Sequence, residues 1–253
     1  MEVTATILLI VAASEIFGCL LTTTRVSEQV VGWVLSITEQ KWLADGIAYI
    51  DFDVFPGDPD TVAQVDAFMK AHASAKVLII DARHHHGGGT AEMNVMLPYL
   101  YGTKTTLVAM DVSQSLADRR GPPGGGPDGS MVETPGPKGI RRQLHVITLN
   151  PSEKRLYTAK VFYLTSKRTG SAAEHLALAF KRTHRATLVG ETTAGANHFG
   201  GFEPIGAGLA FFLPVGRTLD PDTGWDWEGV GVAPDVAIAA DNALDKALEL
   251  AKG

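Results

Sequence analysis

A chain of 253 residues, 45% hydrophobic and 20% charged, is long enough to bury about three quarters of the surface its unfolded form exposes, as one large domain or two small ones. Its 22 Lys and Arg against 28 Asp and Glu leave a net charge of −6, a field that repels phosphate backbones and makes nucleic acid a poor partner. With a single cysteine, Cys19, neither an intramolecular disulfide nor a thiolate zinc site can be assembled.

Residues 5–13 form an apolar run, and Ile16-Phe17-Gly18-Cys19 loosely resembles the box at which bacterial lipoproteins are cleaved. The flanks do not suit an export signal, because the first basic residue is Arg25 and Glu15 interrupts the apolar stretch. The run is also about half the ~20 residues that a membrane span needs. Residues 1–44 are therefore expected to be a short helical segment, buried or docking, with no stable span, ahead of a core domain at 45–253.

Short apolar runs bounded by Gly, Pro and Asp predict strands at 47–52, 77–81 and 105–111, and helical spacing predicts helices at 60–73 and 91–101 between them. A loop follows at 121–139, where seven Gly and five Pro occupy nineteen positions. Beyond it, strands are expected at 144–149, 161–165, 186–189 and 209–213, with helices at 172–183 and 242–252. Strands alternating with helices imply an α/β fold with a largely parallel sheet and ligands near the strand carboxyl ends.

Two strand-to-helix junctions carry chemistry. At the first, "VLIID" runs into "ARHHHGGGTAE", so three glycines sit where a strand ends and a helix begins, and their backbone N–H groups can approach an anion or oxyanion closely. At the second, "VFYLTS" leads through "KRTG" to "SAAEHLALAF", which puts Ser171 at a helix start with Glu174 three residues on. The same Ser-x-x-Glu spacing is a capping box, in which Ser171 only holds the first turn.

Read in order, "VLIIDARHHHGGG", "VFYLTSKRTGSAAEHLALAFKRTHRATLVGETTAGANHFGG" and "TGWDWEGVGVAPDVAI" resemble the tail-specific, or C-terminal processing, serine peptidase family. The branch is the one that includes the interphotoreceptor retinoid-binding protein repeats and the tricorn core protease. The resemblance spans 45–240 and implies a crotonase-like sheet-and-helix superhelix (ClpP/crotonase type), a catalytic core without a PDZ insert, no cofactor, and an extracytoplasmic setting. It makes Ser171 the nucleophile and the backbone N–H of Ala172, with that of Gly87 or Gly88, the oxyanion hole. Glu228 in "WEG" matches the glutamate that completes the catalytic set in tricorn-like members.

The departures concern the base. The lysine that follows "T-x-G" in the processing proteases is here Ala196, and the N-terminal histidine of the tricorn-like branch has no counterpart before His72. His198, in "AGANHFGG", is the best local substitute, since an imidazole suits general-base work. His85 and Glu174 are candidates for supporting contacts. A metal site is not expected from His84, His85 and His86, because adjacent residues on an extended turn point in different directions. His72, His145, His175 and His184 read as surface or helix-face residues, Asp81 and Arg83 as a local structural pair, and Phe199, Phe202, Phe211 and Phe212 as cleft or, more simply, core aromatics. Three functions fit: a serine hydrolase acting on peptides, an esterase or lactonase on the same site, and a non-catalytic module for apolar ligands. A homo-oligomer is a further expectation, with the apolar N-terminal segment as its contact.

Overall fold

The structure is a computed structural model that describes residues 37–120, 129–149, 154–206 and 208–252. Along the chain come β1 (Ile37–Ala44), β2 (Ile47–Phe52), α1 (Pro59–Ala71), β3 (Val77–Asp81), α2 (Ala91–Met96), β4 (Thr106–Ser113) and α3 (Gln114–Arg120). They are followed by β5 (Met131–Thr134), β6 (Ile140–Val146), β7 (Lys160–Thr165), α4 (Ala172–Thr183), β8 (Thr187–Gly190), β9 (Phe199–Gly206), β10 (Leu209–Leu219), β11 (Val236–Ala237) and α5 (Ala243–Ala251).

Two sheets result. A six-stranded sheet has the order β1-β2-β3-β7-β8-β11 and is parallel except where β1 meets β2. A five-stranded sheet, β5-β6-β4-β10-β9, is antiparallel throughout. β3 explains why the first sheet needs cover on both faces. All five of its residues are buried, and with side chains alternating at period 2 they supply two cores. Leu78 and Ile80 join the larger core with Val65 of α1, Met93 of α2 and Phe180 of α4, whereas Val77 and Ile79 join a smaller one closed by Ala243 and Ala247 of α5. Each fully buried Leu or Ile contributes on the order of 1.5–3 kcal/mol.

The helix ends follow local chemistry. The Asp58 side chain accepts the Thr61 amide at 2.9 Å, with Pro59 opening the first turn of α1. The expected helix at 91–101 stops at Met96 and tightens into a 3-10 turn over Leu97–Tyr99, because Pro98 has no N–H to continue the ladder.

Five expectations are corrected. The sheet is not one largely parallel layer, since the second sheet pairs strands across loops that no local pattern reveals. The expected helical segment at 1–44 ends instead in a strand, β1, which pairs with β2 and moves the start of the folded core ahead of residue 45; residues 1–36 lie outside the described residues. The Gly/Pro-rich stretch 121–139 contains β5, paired with β6, while 121–128 lie outside the described residues. The strand expected at 209–213 runs on to Leu219, a register shift between Pro214 and Gly216 absorbing the proline that cannot donate. The strand expected at 144–149 lies at Ile140–Val146, and α3, β9 and β11 were not anticipated.

Candidate active site

β3 delivers its chain into the glycine turn beside the start of α4, and main-chain bonds fasten the turn on both sides. Phe55 N–H donates to Gly87 O at 2.8 Å, Gly89 N–H to Phe55 O at 2.7 Å, and Gly170 N–H to His85 O at 2.9 Å. Gly87 and Gly88 have φ of +112° and +118°, a region that glycine alone adopts without strain. A Cβ on Gly88 would lie 2.0 Å from Phe55 O, and one on Gly87 would lie 2.6 Å from the Ser171 Cβ. The sequence thus specifies glycine where the turn touches Ser171.

His85 is the prop beneath this turn. Its ring is fully buried, edge-on to Phe55 with centroids 4.1 Å apart, and its Nδ1 accepts the Gly87 amide at 3.0 Å. Burial, with a smaller contribution from His86, lowers its pKa to about 3, so the ring is neutral and Nδ1 can accept. The Gly87 amide is therefore occupied. Among the described residues, the Gly88 and Ala172 amides have no protein acceptor.

Ser171 occupies a strained conformation, φ 55° and ψ −117°, at the N-cap of α4. Such backbone costs on the order of 1–3 kcal/mol and persists only where its surroundings over-determine it. Here they do. Glu174, fully buried, accepts the Ser171 amide at 2.9 Å, the glutamate half of the expected capping box. The same carboxyl group accepts Thr193 Oγ1 at 2.6 Å, Gly195 N–H at 2.7 Å and Ala196 N–H at 2.8 Å. A buried carboxyl group is tolerated when its lone pairs are met in this way.

The next two amides of that loop belong to a second carboxylate. Glu228 Oε2 accepts Asn197 N–H at 2.8 Å and His198 N–H at 3.0 Å, and Glu228 Oε1 lies 3.6 Å from His198 Nδ1. Four successive amides, 195–198, are thus shared between Glu174 and Glu228. Asn197 anchors the loop from below, its side chain exchanging hydrogen bonds of 2.7 Å with the Thr218 backbone on β10. His198 and Glu228 are both partly open to solvent, and among the described residues no His or Lys side chain hydrogen-bonds the Ser171 hydroxyl.

Three histidine assignments change or sharpen. His145 and His175 are not surface residues: both are buried, with His145 Nδ1 2.8 Å from His175 Nε2 and His145 Nε2 2.9 Å from Asn94 Oδ1. Burial drives the His175 pKa well down. Sequence reading missed this pair because β6 and α4 meet only in three dimensions. Of the His84–His86 run, His84 lies with Asp51 and Asp53 in a group whose three ligand atoms are within 4.8 Å of one another. Arg83 and Asp81 form the expected structural pair, braced by Tyr49 OH at 2.8 Å from Asp81 and by an Arg83 bond of 2.9 Å to Ala240 O. Phe202, Phe211 and Phe212 are exposed, contrary to the core reading, because the β9–β10 ribbon extends past its sheet.

A sequence profile described as Peptidase family S41 matches residues 46–238. The fold is similar to that of the photosystem II D1 C-terminal processing protease, at 21% identity and a TM-score of 0.55, over 82% of this chain and 47% of that one. Mature CPAF is similar at 14% identity and a TM-score of 0.61, over 81% and 50% of the two chains. A lipoprotein from Streptococcus agalactiae is similar at 16% identity and a TM-score of 0.53, over 85% and 69%. The chain spans about half the length of the first two.

Proposed function

The chain belongs to peptidase family S41, and we propose that it is a serine peptidase in which Ser171 attacks the carbonyl of an extended peptide. One observation carries this reading: a serine in a strained positive-φ turn at a helix start, with the amides of Gly88 and Ala172 open beside it. Two preorganised donors at a developing oxyanion are worth roughly 3–4 kcal/mol each in comparable hydrolases. Gly88, rather than Gly87, is the glycine donor in this reading, since the Gly87 amide is spent on His85.

His198 takes the Ser171 proton as the tetrahedral intermediate forms and returns it to the leaving amine, while Glu228 orients the imidazole and stabilises its charged form. The acyl-serine is then released by water through the same groups in reverse. Glu174 fixes both the Ser171 amide and the loop that carries His198. The reading requires His198 to reach the Ser171 hydroxyl in the substrate complex, catalytic hydrogen bonds commonly being long in the free enzyme. The reading also includes a crotonase-like superhelix core without a PDZ-like insert.

Labelling with a fluorophosphonate probe, beside Ser171→Ala, tests it. The wild type is expected to be labelled and to cleave peptides. Ser171→Ala loses both, by at least ~10⁴-fold in turnover, with stability changed by about 1 kcal/mol at most, the scale of a helix cap. Turnover of p-nitrophenyl esters without peptides would replace the peptidase by an esterase, and an unlabelled wild type would leave the apolar-ligand module.

A further inference from the structure

The glycine turn is held from outside by residues 53–58, which run across it between β2 and α1 as a strap. His86 N–H donates to Asp53 O at 2.8 Å, and Phe55 is bonded to Gly87 and to Gly89, forming a parallel bridge with the Gly88 between them. A side chain fastens the far end of the strap: Gly57 N–H donates to Oε1 of Glu92 at 2.7 Å. Glu92 lies in the first turn of α2, so turn, helix, carboxyl group and strap close a ring of links that fixes the Gly88 backbone.

This carboxyl group differs from the other buried one. Glu92 and Glu174 are both fully buried. Glu174 meets four donors, whereas Glu92 meets the Gly57 amide on one oxygen, and its Oε2, also buried, has no hydrogen-bond partner among the described residues. Asp58, at the start of α1, is the titratable group whose charge reaches Glu92, and no Lys, Arg or His among the described residues pairs with it. A buried charge met by one donor and an acidic neighbour costs far more than a buried neutral carboxyl group. Burial accordingly raises its pKa above the ordinary glutamate value, against the pull of the Gly57 amide and its own amide and with a smaller push from Asp58.

We propose that Glu92, as the uncharged acid, is a positioning residue for the Gly88 donor, and that ionisation of its carboxyl group releases the strap from the turn. Its effect on catalysis rests on the peptidase reading, whereas the strap and its lock do not. An acid oxygen accepts the Gly57 amide without bringing charge into the core, so the uncharged form keeps the strap in place. Once ionised, the group gains by turning toward water, and the Gly57 amide then loses its acceptor. Phe55, two residues away, shifts with it, and Gly88 lies between the two residues that Phe55 bonds. The folded group holds its proton more tightly than an unfolded one. The strap is therefore most stable below the ordinary glutamate value and loosens as pH rises through the raised one.

Exchange of the Phe55, Gly57, His86 and Gly89 amides, corrected for the intrinsic pH dependence of exchange, and kcat test the proposal when followed against pH in the full chain. In the wild type, protection of these amides and kcat are both expected to fall as pH rises beyond the ordinary glutamate range, with KM nearly constant. Glu92→Leu, which offers no acceptor, is expected to lose ~10–10²-fold in kcat at every pH, the scale of a group displaced by about an ångström. Glu92→Gln keeps an acceptor and cannot ionise, so it is expected to recover most of that loss and to abolish the fall with rising pH in both protection and kcat. The same fall persisting in Glu92→Gln, protection independent of pH in the wild type, or a loss confined to KM overturns the proposal. Should both variants fail to fold, the ¹³C shift of the Glu92 carboxyl in the wild type decides, and titration at the ordinary glutamate value of ~4.3 overturns it. A wild type that no fluorophosphonate labels removes the peptidase reading alone, since the exchange measurement still reads the strap.

Discussion

The two carboxylates of the site support opposite kinds of structure. Around Glu174 every element is buried and over-bonded: four donors converge on one side chain, and the neighbouring turn is clamped by Phe55 and propped by His85. Around Glu228 the backbone is equally well held, but the imidazole it faces is half-exposed and 3.6 Å away. In the proposed mechanism the two halves would suit different tasks: oxyanion donors act by being fixed before charge develops, and a base must exchange protons with solvent. Exposure also lets water screen the His198–Glu228 interaction, which by itself contributes little to stability.

The comparison is broken most directly at the exposed half. His198→Ala is expected to lower kcat/KM by ~10²–10⁴ and to leave unfolding free energy within about 0.5 kcal/mol. A variant that keeps the wild-type kcat/KM moves the base elsewhere. In the rigid half, Gly88→Ala forces a Cβ into Phe55 O and displaces a donor, so kcat should fall ~10²–10³ with KM nearly unchanged. A change confined to KM would make the turn a ground-state binding element.

Matched changes at the two carboxylates sharpen the contrast further. Glu174→Gln turns an amide NH₂ toward groups that also donate, costing roughly 2–4 kcal/mol by denaturant unfolding, whereas Glu228→Gln should cost about 0.5 kcal/mol or less. Equal costs would erase the distinction drawn between them. A further change concerns acid. His85 is neutral in the fold, with a pKa of about 3, while an unfolded histidine takes a proton near ~6.5. The unfolded chain therefore binds more protons between these values, and stability declines as pH falls from ~6.5 toward 3 by up to ~1.4 kcal/mol per pH unit. His85→Gln should flatten that slope, the buried His175 supplying what remains; denaturation at two pH values measures it.

The contrast also marks how far the site was legible. Ser171 and the glycine turn could be found because each lies on a strand-to-helix junction with a local signature, and the fold brings them into contact. Glu174 was visible as a cap and as a candidate for supporting contacts, but its partners were not, since its bonds to Thr193, Gly195 and Ala196 span about twenty residues that no periodicity links. Burial of His145 and His175 depends on β6 packing against α4, and the division between the Gly87 and Gly88 amides depends on which way the His85 ring turns.

By itself the sequence determined the identity of most elements. Alternation at period 2 and helical spacing are properties of neighbouring residues, and β2 at 47–52, β3 at 77–81 and α4 at 172–183 lie where those patterns put them. The tertiary structure alone decided that the strands divide into two sheets, that β1 pairs with β2 at the edge of the first, that two carboxylates share four successive amides, and that three phenylalanines of one ribbon face outward. Each of these is settled by contacts between segments far apart in the chain, where register and packing, not local pattern, select what a side chain meets.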